Sequence, residues 1–173
     1  MNAIIQNMLD RHSCRQFTDQ PVEMEKIQDL VTAAQWAPSG MNLQSWHFSV
    51  ITNPEKIQKL AAAIREADNR PANYNFYGPS AFFIISGERD NRNSMLDGSA
   101  ALENVLLAAT SLGLGSCWIN QVRDRCDDPA VRALLTEFGI PENHIVNAAA
   151  SIGYAAVPAK THERASNTVT IVE

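Results

Sequence analysis

The residues best suited to chemistry in this 173-residue sequence lie in one short segment, RHSCR at positions 11–15. Arg11 and Arg15 bring two guanidinium groups, and His12 and Ser13 between them add an imidazole and a hydroxyl. The paired N–H donors of arginine match the oxygens of a phosphate, so these four side chains can converge on one phosphate group. A solvated polar loop would have the same composition, and the segment alone leaves both interpretations open.

A second polar segment, APSGMNLQSWHF at positions 37–48, combines turn-forming residues with hydrogen-bonding side chains. Its proline stops the preceding helix, and its glycine lets main-chain amides come close to a ligand. Its serine, asparagine and glutamine add a hydroxyl and two amides. The positions concerned are Pro38, Ser39, Gly40, Asn42 and Gln44. The segment is either a turn that binds a polar ligand or a plain connection between a helix and a strand.

A third segment, GLGSCW at positions 113–118, contains a GxG pattern but lacks the third glycine of a dinucleotide-binding turn. Its glycines follow a helix and lead into a strand, which is the reverse of the order that places pyrophosphate at a helix N-terminus. Locally, the pattern favours a helix end followed by a tight turn into a strand. The sequence also has no GxxxxGK[ST] or GxSxG motif, so it gives no support to P-loop or α/β-hydrolase chemistry.

The cysteines and histidines do not form a metal or disulfide pattern. The three cysteines lack CxxC spacing and the four histidines include no HExxH pair, which argues against a disulfide framework and a zinc site. Cys14 lies beside two arginines, which favour a reactive thiolate, but nothing marks a partner base for a catalytic thiol.

The hydrophobic pattern predicts helices and strands that interleave along the chain. Helices are predicted over 2–10, 23–36, 54–67, 94–113 and within 127–141 with a stop at Gly139; strands are predicted over 46–53, 81–86, 114–119 and 144–154. The helix at 94–113 is apolar on nearly all sides, so we expect it at the centre of the molecule or in an oligomer interface. Because the glycine-rich turn of a doubly wound fold is missing, the order of elements predicts an α+β layer fold.

Two segments outside these elements are also distinctive. Residues 70–80 contain three aromatic side chains between a helix and a strand, and we interpret them as a mobile lid loop. The tail over 156–173 ends in the alternating sequence TVTIV, which could add an edge strand to this chain or to a partner. The chain length predicts a single domain over 1–173.

The composition restricts the possible partners and location. Hydrophobic residues make up 45% and charged residues 19%, which is typical of a chain that folds into a globular domain. The net charge of −5 gives no general attraction to nucleic acid or to anionic membranes. No run is long enough to cross a bilayer and the first residues do not form a secretion signal, so a cytoplasmic location is expected.

Taken together, the motifs resemble the FMN-dependent nitroreductase family over nearly the whole chain. The family's opening pattern R-[RHK]-S-x-[RK]-x-[FY] is matched over residues 11–17, and its APS-[GS]-x-N-x-Q-P-W-x-F pattern over residues 37–48. In the second pattern Ser45 replaces the usual proline, which should loosen the start of the strand slightly. DGSAALENVLLAATSLGLGSCWI resembles the family's long central helix and following strand, and IGY with a basic tail resembles its end.

The resemblance implies an α+β fold with a central mixed, mainly antiparallel β-sheet flanked by helices. It further implies a homodimer with an exchanged C-terminal tail and with FMN at the interface. The implied cofactor-binding residues are Arg11, His12, Ser13, Arg15, Pro38, Ser39, Gly40, Asn42, Gln44, Cys117, Trp118, Ile119, Asn120, Gln121, His162 and Arg164.

Within that set the resemblance implies distinct roles. Arg11, Ser13 and nearby His12 resemble phosphate ligands, and Arg15 resembles a cation that stabilises negative charge at the pyrimidine edge of reduced flavin. The segment 38–42 resembles contacts donated by the other protomer, and 117–121 resembles a main-chain wall along the flavin, which revises the local interpretation of GLGSCW. Arg164 is a further phosphate candidate, and Lys160 and His162 remain alternatives for a second cation in the tail.

The implied activity is that of an NAD(P)H-dependent oxidoreductase. NAD(P)H would transfer hydride to flavin N5, and a nitroaromatic, quinone or similar acceptor would then occupy the same space in ping-pong turnover. No side chain is expected to act as acid or base, and no metal is expected. The alternatives are a flavin-binding or redox-sensing module with little turnover and a relative that performs reductive dehalogenation.

Overall fold

The computed structural model describes residues 1–159, 164–165 and 168–173. In chain order the elements are α1 (Ala3–Asp10), α2 (Met24–Gln35), a 3₁₀ turn (Gly40–Asn42), β1 (Trp46–Ile51), α3 (Pro54–Ala67), β2 (Ala81–Glu88), α4 (Ser94–Ser111), β3 (Gly115–Trp118), α5 (Gln121–Asp124), α6 (Pro129–Glu137) and β4 (His144–Gly153). The α+β class predicted from the order of elements is confirmed. Among the described residues no helix is both long and apolar enough to cross a membrane.

The four strands form one sheet in the order β1-β2-β4-β3. All three neighbouring pairs are antiparallel, and a single parallel bridge joins Ser13 to Ser116 beside β3. The implied mainly antiparallel sheet is therefore confirmed, and its parallel component is this bridge. β1 and β3 are the two edges of the sheet within the described chain.

Each face of the sheet is covered by its own apolar cluster. Phe82 and Ile84 of β2 pack with α3 and α6 on one face, whereas Phe83 and Ile85 pack with α2 and α4 on the other. Because successive side chains of a strand point to opposite faces, a strand covered on both sides must be apolar throughout. This explains why AFFIIS is a continuous hydrophobic run.

Local capping determines where several helices begin. The Asn53 side chain accepts the N–H of Lys56 at 3.1 Å and Pro54 occupies the first turn of α3, so the predicted span 54–67 is reproduced. Asp128 likewise accepts the N–H of Ala130 before α6. The C-terminal end of α4 is also set locally. The helix ends at Ser111, two residues before the predicted end, and Gly113 follows it with φ +73°.

The central helix α4 lies against the sheet, as its apolar sequence predicts. Its inner side buries Ala101, Leu102, Val105, Leu106 and Ala109. On its outer side α1 is tied to it by Asn7, whose Nδ2 donates to the Leu107 carbonyl at 2.9 Å. The apolar side chains of α1 are nevertheless exposed: Ile4, Ile5, Met8 and Leu9.

The segment predicted as a lid is attached to the body through the buried residues Phe76 and Pro79, and the Ala72 carbonyl accepts Arg65 Nη1 of α3 at 3.1 Å. Phe76 is fully buried, its ring stacks on Phe82 with centroids 4.4 Å apart, and its carbonyl accepts the Ser151 hydroxyl at 2.7 Å. Phe76 therefore anchors the segment in the core, and mobility of residues 70–80 stays a prediction.

Two details differ from the sequence prediction. Residues 168–173 form no strand within this chain, so the prediction that TVTIV adds an edge strand to its own sheet is wrong for these described residues. They lie exposed, without a neighbouring strand edge to supply their hydrogen bonds. The short helix α5 was not predicted, because four residues are too few to show a helical period.

Candidate functional site

The polar segment 11–15 lies directly beside the segment 117–121. After α1 the chain is extended at Arg11, Ser13 bridges to Ser116 of β3, and the N–H of Cys14 donates to the Ser116 carbonyl at 2.8 Å. Three residues after Cys14, Phe17 forms an antiparallel bridge with Ala155, just past the end of β4. The structure thus brings together the two segments that the sequence analysis assigned to phosphate and to the flavin wall.

A hollow of about 250 Å³ opens beside this bridge. It is lined by His12, Ser13, Cys14, Arg15 and Gln16 together with Val157 and Pro158 from the start of the tail. The Ser13 and Arg15 side chains are exposed, and within the described residues neither Arg11 nor Arg15 makes an ion pair. Arg11 is half-buried just outside the lining of the hollow. Cationic donors without an internal anionic partner are suited to an external anion.

The cysteines near this hollow are structural rather than reactive. Cys14 is buried and its Sγ donates to the Gln16 carbonyl at 3.1 Å. Burial raises the pKa of the Cys117 thiol, and this outweighs the opposing effect of the nearby Arg15. The structure therefore gives no support to a catalytic thiol.

The segment 117–121 passes from the buried strand β3 to the partly exposed start of α5. Cys117 and Ile119 are buried in the core, Trp118 is half-buried, and the Ile119 N–H donates to the Ala149 carbonyl at 2.7 Å. Asn120 is exposed and Gln121 half-buried at the start of α5. Because Cys117 and Ile119 are buried as whole residues, Trp118, Asn120 and Gln121 are the parts of the segment that a ligand can reach. A main-chain wall along the flavin stays a prediction.

A second hollow joins Arg15 to the predicted lid. Its lining consists of Arg15, Gln16, Phe17, Pro71, Asn73, Tyr74, Asn75 and Tyr77. The aromatic residues of this loop are evident in the sequence, but the position of Tyr74 and Tyr77 beside Arg15 is not. Their signal was the density of aromatic and amide side chains in a loop, which is unusual unless the loop covers a ligand.

The lid tyrosine Tyr74 is a protonated phenol. Burial raises its pKa above the ordinary value of 10.0, so the hydroxyl retains its proton at neutral pH. Its ring packs edge-on against Phe76 with centroids 5.4 Å apart, and the Arg70 guanidinium lies 5.9 Å from the ring centroid. The core anchor at Phe76 therefore also fixes the orientation of Tyr74 beside the Arg15 hollow.

The second predicted segment, 38–44, has an unusual backbone. Met41, Asn42 and Gln44 have φ of 54°, 56° and 50°, a left-handed conformation that non-glycine residues rarely adopt. The Ser39 hydroxyl accepts the Gln44 N–H at 3.1 Å, and Gln44 Nε2 donates to Asn42 Oδ1 at 2.9 Å. Predicted ligands Ser39, Asn42 and Gln44 thus brace one another within this loop, whereas Pro38 is exposed just before it.

Ser45, where the family pattern has proline, is held by hydrogen bonds. Its hydroxyl accepts Asn91 Nδ2 at 2.6 Å and its carbonyl accepts the Glu88 N–H at 3.3 Å. The side chain thereby fixes the start of β1 by a contact that proline cannot make.

The two groups of predicted residues lie at opposite corners of the sheet. Trp46 pairs with Gly87, and Gly87 with Ile145, whereas Ser13 bridges Ser116, which pairs with Ile152. The seven residues from Ile145 to Ile152 span about 23 Å, and the three strand spacings from β1 to β3 add about 14 Å across the sheet. One small ligand cannot contact both corners of a single chain.

The predicted tail cations are only partly covered by the structure. Arg164 is exposed, and Lys160 and His162 lie outside the described residues. The tail nevertheless begins at the hollow, since Val157 and Pro158 form part of its lining.

The sequence model of the Nitroreductase family matches residues 8–154. A protein of Archaeoglobus fulgidus whose name includes "NAD(P)H nitroreductase" is 33% identical over 159 residues, which cover 89% of this chain and 86% of the relative. A nitroreductase from Bacteroides fragilis solved with bound FMN superposes with a TM-score of 0.95 at 34% identity, covering all of both chains. A nitroreductase with bound FMN from Desulfitobacterium hafniense gives a TM-score of 0.89 at 25% identity, also over both complete chains. The family model, these relatives and the shared fold show that the chain belongs to the nitroreductase family.

Proposed function

We propose that this protein is an FMN-dependent oxidoreductase that uses NAD(P)H to reduce nitroaromatics, quinones or similar electron-poor acceptors. The observation that most supports the proposal is the hollow beside β3, which contains the Ser13 hydroxyl and an exposed Arg15 guanidinium that makes no ion pair within the described residues. The family membership and the bound FMN of the two solved relatives agree with this chemistry.

The residues present fit FMN. A phosphate would be met by Ser13 and His12 on the wall of the hollow, with Arg11 beside it. Arg15 belongs to both hollows, so it can face the ring system while its neighbours face the phosphate. The backbone of 117–120 would form one side, and the lid with Tyr74 and Tyr77 would lie over the other.

When bound, FMN supplies the hydride transfer between NAD(P)H and the acceptor. The contribution of this chain is to hold the group, to place the Arg15 charge where negative charge develops, and to exclude water with the lid aromatics. No side chain in either hollow is assigned as an acid or base.

We further propose that the working form is a homodimer. In each chain, residues 11–15 beside β3 and the 38–44 loop lie too far apart to contact one ligand. A second copy could bring its 38–44 loop to residues 11–15 of the first copy. The exposed apolar side chains of α1 and the exposed Trp36, Met41 and Leu43 beside the loop supply surface for such an interface. The tail residues Val169, Ile171 and Val172 are also exposed and suit exchange onto a partner.

An absorbance scan of purified protein, followed in the same cuvette by anaerobic NADH and then NADPH, tests the oxidoreductase. We expect a yellow flavin spectrum that at least one nucleotide bleaches and that a nitroaromatic or quinone restores. Protein that is colourless and does not take up added FMN would remove the flavin proposal. A flavin band that neither nucleotide bleaches would favour a binding module with little turnover.

Mixed dimers test the shared site. In a doubly tagged heterodimer of an Arg15→Glu chain and a Gly40→Val chain, one site would contain both defects and the other none. Each variant homodimer should lose FMN, and the heterodimer should recover about half of the wild-type content. A heterodimer as empty as its parents would show that each site is built from one chain.

A further inference from the structure

Asp97, in the first turn of α4, is a buried carboxylate with one contact to the 38–44 loop. Its residue is only 7% exposed, and Oδ1 accepts the Gly40 N–H at 2.9 Å. Oδ2 is also buried and has no hydrogen-bond partner among the described residues. Burial of an unpaired carboxylate is costly, although the N-terminal end of the helix offsets part of that cost. The aspartate at this position is therefore better explained by the amide that its Oδ1 holds than by a gain in stability.

The backbone conformation of the loop that Asp97 contacts requires contacts from outside the loop. Met41, Asn42 and Gln44 are all left-handed, so without tertiary contacts the chain would relax to more ordinary conformations. The internal hydrogen bonds of Ser39 and Gln44 stay within the loop and do not fix its position on the body. An external contact at the start of the turn is required.

The start of α4 supplies that contact from three neighbouring residues. Asp97 holds the Gly40 amide, Asn91 holds the Ser45 hydroxyl, and Asn93 packs so closely on Gly40 that a Cβ there would collide with its side-chain amide. Two of these contacts converge on Gly40, at the beginning of the left-handed run. Gly40 is thus required for close approach, and its amide is the one main-chain donor of the turn that α4 binds.

We propose that Asp97 is a positioning residue. It holds the 38–44 loop in the conformation that contacts an FMN molecule bound chiefly by the partner protomer. The inference rests on the proposed function and goes beyond it, because Asp97 itself does not touch the cofactor. When Oδ1 is removed, the loop populates other conformations and the apparent dissociation constant rises as the competent fraction falls. If about one tenth of the molecules have the loop in the binding conformation, the FMN dissociation constant is about tenfold higher.

The test measures FMN binding and amide exchange in apo protein from which FMN has been removed. Asp97→Ala should raise the FMN dissociation constant about tenfold and bring exchange of the Gly40 amide close to the rate of an unstructured amide, because about nine tenths of the molecules would then have the loop displaced. Asp97→Asn keeps an oxygen acceptor of the same shape and should stay within about threefold of wild type in both measurements. Val105→Ala, at a fully buried position farther along α4, is the matched control. It should lower thermal stability without changing either the FMN dissociation constant or Gly40 exchange.

Wild-type protein supplies a measurement that does not depend on whether any variant folds. The Gly40 amide should be protected in the apo form, and exchange at the rate of an unstructured amide would overturn the inference. It would equally be overturned by a folded Asp97→Ala protein that binds FMN within twofold of wild type, or by a Val105→Ala protein weakened as much as Asp97→Ala. In all three cases wild-type FMN binding would leave the proposed function intact, whereas wild type that binds no FMN would remove both.

Discussion

Replacing Phe76 with alanine should destabilise the protein strongly, although the residue lies in a loop that the sequence suggests is mobile. Its ring is fully buried, stacks on Phe82 at 4.4 Å and meets Tyr74 edge-on at 5.4 Å. Truncation of a fully buried phenylalanine costs about 3–5 kcal/mol, and each aromatic pair adds about 0.5–1.5 kcal/mol. Because both pairs are lost, we expect a decrease in the free energy of unfolding at the upper end, about 4–5 kcal/mol.

Denaturant unfolding at a fixed protein concentration measures this loss, since a dimer's stability depends on concentration. Tyr77→Ala, beside Phe76 but 42% exposed, is the control and should cost less than about 1 kcal/mol. If Phe76→Ala holds enough structure for kinetics, the Michaelis constant for the acceptor should rise while FMN binding changes little, because Tyr74 and Tyr77 line the Arg15 hollow. A Phe76→Ala cost within about 1 kcal/mol of Tyr77→Ala would refute the claim that Phe76 anchors the lid in the core.

Three further changes test other parts of the site and fold. Arg11→Glu should weaken FMN binding by at least about tenfold, because a charged hydrogen bond is lost and a like charge faces phosphate, whereas Arg11→Lys should lose less; equal binding by titration would remove Arg11 from the phosphate site. Burial and nearby His47 lower the pKa of His144 below its usual 6.5, so the unfolded chain binds the extra proton first and stability should fall as the pH drops below about 6.5. The slope from this residue is at most about 1.4 kcal/mol per pH unit, and denaturation of His144→Gln between pH 5 and 8 should show a shallower dependence. Ser45→Ala removes the acceptor of Asn91 Nδ2 and should lower the free energy of unfolding by about 1 kcal/mol in the same assay; an unchanged stability would show that this hydrogen bond does not hold the start of β1.

The ends of a helix or strand could be predicted from the sequence where neighbouring residues determine them. They could not be predicted where they depend on pairing with a distant strand. The span of α3 follows from Asn53 and Pro54, which lie next to each other in the chain. The strand β2 continues to Glu88, two residues past the apolar run, because Gly87 pairs with Trp46 on one side and with Ile145 on the other. A glycine and a glutamate have no strand preference of their own, so nothing in their types indicates the longer strand.

The candidate site shows the same division. The 11–15 cluster could be recognised because its four functional side chains lie within five consecutive residues, and the structure brings it beside 117–120 through the Ser13–Ser116 bridge. The role of Asp97 could not be recognised, because an acidic residue in the first turn of a helix is ordinary and its partner, Gly40, is 57 residues away. The lid residues were noted as aromatic, but only their packing about Phe76 shows which of them lie beside Arg15.

The order of strands is the fact that connects these observations to a shared site. Because β1 and β3 lie at opposite edges and their relevant ends are about 23 Å apart along β4, we propose that each chain contributes one part to each of two binding sites, which the partner completes. The loop has three left-handed residues, an amide that the buried Asp97 holds, and exposed side chains at Met41 and Leu43. A loop held rigidly by the body but pointing away from it is suited to a surface on another molecule. A second copy of this chain presents the complementary half, so dimerisation and cofactor binding should be linked, and each should strengthen the other by the same factor.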